Sequence, residues 1–255
     1  MLRDLFADVI RLTTLAFAGL SLAASAAEIS VYSGGAVKAA LDEVVANFEK
    51  LSGHHVTVEY APVGTLMRRL AEGTQPDVVV LTTEALAEAV ERGWVVPGMA
   101  TPLGGVGVGV AVQEHAVAPD ISTPEALTRT LLAAKSITYI DPEKGTSGKH
   151  FAQVLQRLGI AAAMKAKTTL GDAGYVVEPV ARGEIELGIQ QITEILPVKG
   201  VKLVGPLPEP LQKITLYTAA PMAQTRNAEA VRTFLDYLRG EKTRGIFSSK
   251  GFLAP

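Results

Sequence analysis

From residue 29 onward, short β-branched runs alternate with stretches whose apolar residues recur every three to four positions. Residues 29–32 read as a strand. Val37, Leu41, Val44, Val45 and Phe48 then fall on one face of a helix over 36–51. Residues 56–60 form the next strand, and Pro62 to Thr65 open a helix that reaches Glu72. A buried strand over 77–81 and a helix over 83–92 complete a βαβαβα order. That order predicts a parallel sheet covered on both faces.

The pattern then changes. Residues 102–112 alternate Gly and Val with no helix directly behind them, as expected of an extended connecting strand. A second series follows, with strands over 136–140 and 185–189 and helices over 147–158 and 173–182. A long strand over 213–220 and helices over 228–239 and 243–250 close the chain. The expected fold class is α/β, with two doubly wound sheets joined by two crossing hinge strands. Residues 28–107 and 219–255 would build the first lobe and 108–218 the second. Ligands in such sheets sit beyond the carboxyl ends of the strands. The cleft is therefore expected to be lined by loops 33–36, 61–65, 141–149 and 171–174, with Gln191 on the far side.

Composition narrows the setting. The first 27 residues read as an export signal, with Arg3 and Arg11 at its start, an apolar run over 12–22 and the small residues Ala24, Ser25 and Ala26 before the cut. The apolar run is short for a membrane anchor. The 255 residues contain no cysteine, which excludes disulfides, thiol catalysis and lipidation of a new N-terminal Cys. A free periplasmic protein is the simplest expectation. A formal charge of −2 with both signs interspersed argues against a nucleic-acid partner.

The candidate chemistry sits at strand-to-helix junctions. Ser33-Gly34-Gly35-Ala36 and Gly145-Thr146-Ser147-Gly148 each pair hydroxyls with glycines that let backbone approach a ligand. Each also precedes a helix whose free N–H groups favour an anion. Taken singly, each is a tight turn with a cap; together they favour anion capture. Gly64 and Thr65 extend the set. Lys38, Arg69 and Lys149 are the charge partners expected for a carboxylate; Arg68 and Arg69 are adjacent, so at most one of them points into the cleft.

Other chemistry is poorly supported. The Gly145–Lys149 run is half a phosphate-binding loop: Glu143 stands where its leading glycine belongs and His150 where its Ser or Thr belongs. Gly105 and Gly107 precede no helix, so no dinucleotide fingerprint is present. The four histidines form no metal-ligand spacing. No cofactor or metal is called for, and no catalytic residue is assigned. His150, Lys38 and Lys149 are the weak candidates for acid–base work.

Several segments resemble the periplasmic molybdate-binding family of substrate-binding proteins, which carry the type II periplasmic binding fold. They are residues 29–32, Gly64-Thr65-Leu66 with Ala71-Glu72-Gly73, Pro76-Asp77-Val78-Val79, Asp141-Pro142-Glu143, Leu187-Gly188-Ile189, residues 234–238, Ile246-Phe247 and Gly251-Phe252. The resemblance spans nearly the whole chain after the signal. It implies a monomer that captures a small anion and hands it to a membrane permease of an ABC-type importer. The family holds a tetrahedral oxyanion with serine hydroxyls, backbone N–H groups and a tyrosine hydroxyl. Its first-loop serine falls here on Ala36, its second on Val63 and its tyrosine on Gln191. The backbone donor falls on Ser147 and a fourth contact near Ala173. Three side-chain donors are thus altered, which favours an organic di- or tricarboxylate over molybdate. Some relatives on this fold resemble periplasmic isomerases of unsaturated tricarboxylic acids, so an aconitate isomerase-like enzyme is the alternative.

Overall fold

The computed structural model describes residues 26–255; the expected signal segment lies almost entirely outside them. The first lobe runs β1 (Glu28–Gly34), a 3-10 turn (Gly35–Val37), α1 (Lys38–Ser52), β2 (His55–Ala61), α2 (Val63–Ala71), β3 (Val78–Thr82), α3 (Thr83–Glu91) and β4 (Thr101–Val106). The chain then passes to the second sheet. It forms β5 (Val108–Gln113), α4 (Pro124–Ala133), β6 (Ile137–Ile140), α5 (Thr146–Arg157), α6 (Ala161–Lys165), β7 (Thr168–Gly171), α7 (Glu178–Ala181), β8 (Leu187–Gln191), α8 (Ile192–Ile195) and β9 (Val201–Pro206). It returns as β10 (Thr215–Pro221) and ends in α9 (Ala228–Leu238) and α10 (Glu241–Ser249).

The two five-stranded sheets have matching orders, β2-β1-β3-β10-β4 and β7-β6-β8-β5-β9. Three strands in each are parallel, as the βα alternation dictates. The fourth position is taken by a crossing strand running antiparallel to both neighbours: β10 between β3 and β4, and β5 between β8 and β9. The sheets are therefore mixed rather than purely parallel, because a strand arriving from the other sheet enters from the opposite end. The expected single extended strand over 102–112 is two strands that meet at Gly107 and belong to different sheets.

Local rules account for most boundaries. Gly53 ends α1 in the left-handed region at φ 73°, where an L side chain is strained. Thr82 caps α3 by accepting from the Ala85 N–H at 3.2 Å. α4 has the same device: Thr123 accepts from Ala126 N–H at 3.1 Å, with Pro124 in the first turn. The expected helix over 173–182 shrinks to α7, and residues 173–177 form a loop. Short edge elements such as β7 and β9 are half-exposed along their length and lack the alternation that marks a strand.

Each sheet has its own apolar core. In the first, Phe48 of α1 meets Phe234 of α9 edge-on with ring centroids 5.0 Å apart. In the second, Tyr139 and Phe151 make the equivalent contact at 5.1 Å. Asp77 pins the edge of the first core. Its carboxylate accepts from Ser30 N–H at 2.9 Å, Ser30 Oγ at 2.8 Å and Thr225 Oγ1 at 2.6 Å. Burial opposes the charge, but these hydrogen bonds and one from Asn227 outweigh it and hold the carboxyl below its ordinary range.

Candidate functional site

The carboxyl ends of both sheets face each other across a cavity of about 320 Å³. Its first-lobe wall comes from the 3-10 turn, the start of α1, the end of β2 and the start of α2. Its second-lobe wall comes from the end of β6, the start of α5, the loop before α7, and β8 with α8. The lobes touch at the rim, where Gly64 N–H donates to the Lys144 carbonyl at 3.0 Å. A Cβ at residue 64 would stand 2.8 Å from that carbonyl oxygen and 3.2 Å from the Glu143 oxygen. The backbones can therefore approach this closely only at glycine.

Eight of the residues expected at the site line the cavity: Gly35, Ala36, Lys38 and Val63 on one side, Thr146, Ser147, Ala173 and Gln191 on the other. Six do not. Ser33 is fully buried behind the wall, its hydroxyl turned to the Gly34 carbonyl at 3.2 Å. Gly34 packs under the Tyr217 ring, which would lie 3.0 Å from a Cβ there. Thr65 lies along α2 away from the cavity, and Arg69 is paired with Glu59. Gly64 and the exposed Lys149 border a neighbouring, more open depression instead.

The expected acid–base candidates fare no better. His150 lies in that neighbouring depression, with Nε2 donating to the Leu211 carbonyl at 2.8 Å. Burial lowers its pKa, so the ring is neutral and already engaged. Lys38 reaches the main cavity, but its ammonium is held by Asp42 at 2.8 Å and sits 4.4 Å from the Tyr60 ring centroid. The Tyr60 hydroxyl donates to the same carboxylate at 2.6 Å. Among the described residues, no group of three or more His, Asp or Glu could hold a metal ion.

Sequence reasoning missed the buried carboxyl of the wall. Glu194, on α8, points into the cavity, and its Oε1 would lie 2.8 Å from a Cβ at Gly35. Among the described residues no cation pairs with it. Burial pushes its carboxyl up from 4.5 to about 8, with the Gln190 amide pulling weakly the other way. Gln190 and Gln191 are both buried, and their Oε1 atoms have no hydrogen-bond partner among the described residues. Gln191 Nε2 donates to the Tyr217 hydroxyl at 3.2 Å, and Gln190 Nε2 to the Gly174 carbonyl at 2.8 Å. Such orphaned acceptors mark places where a bound molecule would supply a donor.

Residues 29–253 match the family model for bacterial extracellular solute-binding proteins. The chain belongs to that family. Among curated proteins it is 33% identical to an aconitate isomerase from Pseudomonas sp. over 94% of this chain and 96% of the relative. It is 27% identical to the molybdate-binding protein ModA of Escherichia coli over 94% and 93%. The periplasmic molybdate-binding protein of Azotobacter vinelandii superposes with a TM-score of 0.75 at 17% identity, covering 89% of this chain and 99% of that one. The last comparison shows the fold alone.

In this solute-binding protein backbone donors open on the cavity beside the side chains. α5 begins at Thr146 with no side-chain cap on its first turn, and its amino end opens on the cavity. Ala36 and Val63 offer no hydroxyl there. The signals that would have found the missed residues are modest. Gln190 and Tyr60 sit at carboxyl ends of strands, where ligands gather. Glu194 carries no such signal, because α8 is a four-residue turn whose direction depends on the lobe opposite.

Proposed function

We propose that this protein captures a small organic polycarboxylate between its lobes. The observation that carries the reading is the make-up of the cavity. Its wall has Ala36 and Val63 where the resemblance implies hydroxyls for a tetrahedral oxyanion, and its cation, Lys38, shares the cavity with the uncapped start of α5 on the other wall. At about 320 Å³ it falls in the range of organic-ligand pockets. Glu178 and Glu194 would repel a compact dianion. Glu194 in its neutral form can instead donate a hydrogen bond to a ligand carboxylate. The 33% identity with a protein named aconitate isomerase supports a tricarboxylic acid as the class.

The same proposal takes the protein as exported to the periplasm, monomeric, and delivering its ligand to an ABC-type permease. Its moving lobes are taken as 28–107 with 215–255, and 108–214, because the sequence-based boundary at 218/219 would cut β10, which pairs within the first sheet from Thr215 onward. Closure would bend the chain near Gly107 and ahead of β10. Thermal unfolding and calorimetry with molybdate, tungstate, sulfate, citrate and both aconitates test it. A polycarboxylate at 100 times its dissociation constant should stabilise by about 2.7 kcal/mol. Stabilisation by molybdate or tungstate without any by the carboxylic acids would overturn the reading.

A further inference from the structure

Capture uses Glu194 only in its neutral form, and a carboxyl in an anion pocket weakens binding whenever it ionises. We infer that Glu194 is the proton-transferring group of a cofactor-free isomerisation, acting on an unsaturated polycarboxylate whose methylene lies between its double bond and a carboxylate. The inference rests on the polycarboxylate reading and adds turnover to it.

Geometry comes first. Glu194 is carried by α8, which leaves the second sheet at Gln191 and packs against the 3-10 turn and α1 of the first. The carboxyl thus reaches the floor of the cavity, flush with the Gly35 backbone, where any side chain at 35 would meet it. It has no ion-pair partner among the described residues, and Lys38 is held by Asp42. The other titratable groups on the wall are Tyr60, Tyr175, Tyr217 and Glu178. Burial raises all three tyrosines, so none is a base at neutral pH. Burial brings the Glu194 carboxyl up toward neutrality, which suits transfer in both directions.

The step balances without an oxidant or a metal. The Glu194 carboxylate takes one proton from the allylic methylene. The C–H pair spreads through the double bond into the flanking carboxylates as a dienolate. The same proton, or one exchanged with solvent, returns to the far end of the three-carbon unit, and the double bond moves by one position. On a symmetrical skeleton such as aconitate, the product is the same acid with its geometry reset. The α5 amino end and Lys38, the latter paired with Asp42, border the cavity in which charge would accumulate on the carboxylates.

The test follows cis- and trans-aconitate in D2O by proton NMR with purified protein, alongside calorimetric binding. The expected result is interconversion with deuterium entering the allylic carbon. Glu194→Gln should slow it by about 100-fold or more while holding affinity within a few-fold. Gly35→Ala gives a second route, because its methyl displaces the carboxyl without removing it, and the rate should fall while the fold is kept. For the wild type the rate should climb with pH as the carboxyl ionises. Binding without interconversion or exchange would refute the inference and leave capture standing. No binding of either acid would refute both, and a Glu194→Gln variant as fast as wild type would place the chemistry elsewhere.

Discussion

Glu194→Gln also makes a prediction about folding that needs no ligand. The carboxyl rises from 4.5 to about 8 on folding, so the folded state binds a proton more tightly than the unfolded chain does. Its contribution to stability is therefore complete below about pH 4.5 and is lost as pH climbs through about 8. A rise of that size corresponds to about 5 kcal/mol as a ceiling. The carboxyl borders an open cavity, and water there screens it, so roughly half that figure is the working expectation. Urea unfolding of both proteins at about pH 5 and about pH 8.5 isolates the effect, because the other titrating groups are shared and cancel. Wild type should lose about 2 to 3 kcal/mol more than the glutamine variant across that interval. Equal losses would mean that the carboxyl is ionised in the fold at neutral pH, and the account of the cavity floor would fall with it.

Three further outcomes follow from the same geometry. Gly64→Ala should leave the melting temperature within a few degrees but weaken ligand binding several-fold by calorimetry, since the new methyl meets the Lys144 carbonyl and holds the rim apart. Asp77→Ala should cost about 2 to 4 kcal/mol in chemical unfolding, because Ser30, Thr225 and Asn227 lose a shared acceptor. It should also flatten the acid limb: the depressed carboxyl stabilises above about 3.8, and that stability drains away in wild type as pH falls below it. Arg69→Ala should leave ligand affinity unchanged, for its guanidinium serves Glu59 outside the cavity.

Much of the scaffold was legible because it follows local rules. Helical spacing placed α1, α5 and α9, and the switch to alternating Gly and Val marked the first crossing. Ser33 was misjudged for a reason the strand itself supplies: with Ile29 and Val31 buried, the two-residue repeat carries 33 to the same face. The helix α4 was not expected, although Thr123-Pro124 carries a signal for its start. Arg69 and Lys149 were plausible by proximity in sequence, yet helix rotation turns one to Glu59 and the other to solvent. Glu194, Tyr175 and Tyr217 were beyond reach, since each becomes part of the wall only when elements distant in sequence converge. A residue's chemistry can be read from its type, but its pKa here is made by neighbours that no spacing rule brings together.

The matched strand orders of the two sheets have a consequence for how the chain acquires its shape during synthesis. β10 occupies an interior position of the first sheet, between β3 and β4, yet it follows the entire second lobe in sequence. The first lobe cannot close its hydrogen-bond ladder until residues 215–221 have emerged, whereas every strand of the second sheet lies within one uninterrupted run from β5 to β9. The later-made lobe is thus free to fold first, reversing the usual amino-to-carboxyl progression. Pairings over such separations also form slowly. A chain released before β10 would hold a finished second half beside an open-edged first sheet, with β3 lacking a neighbour.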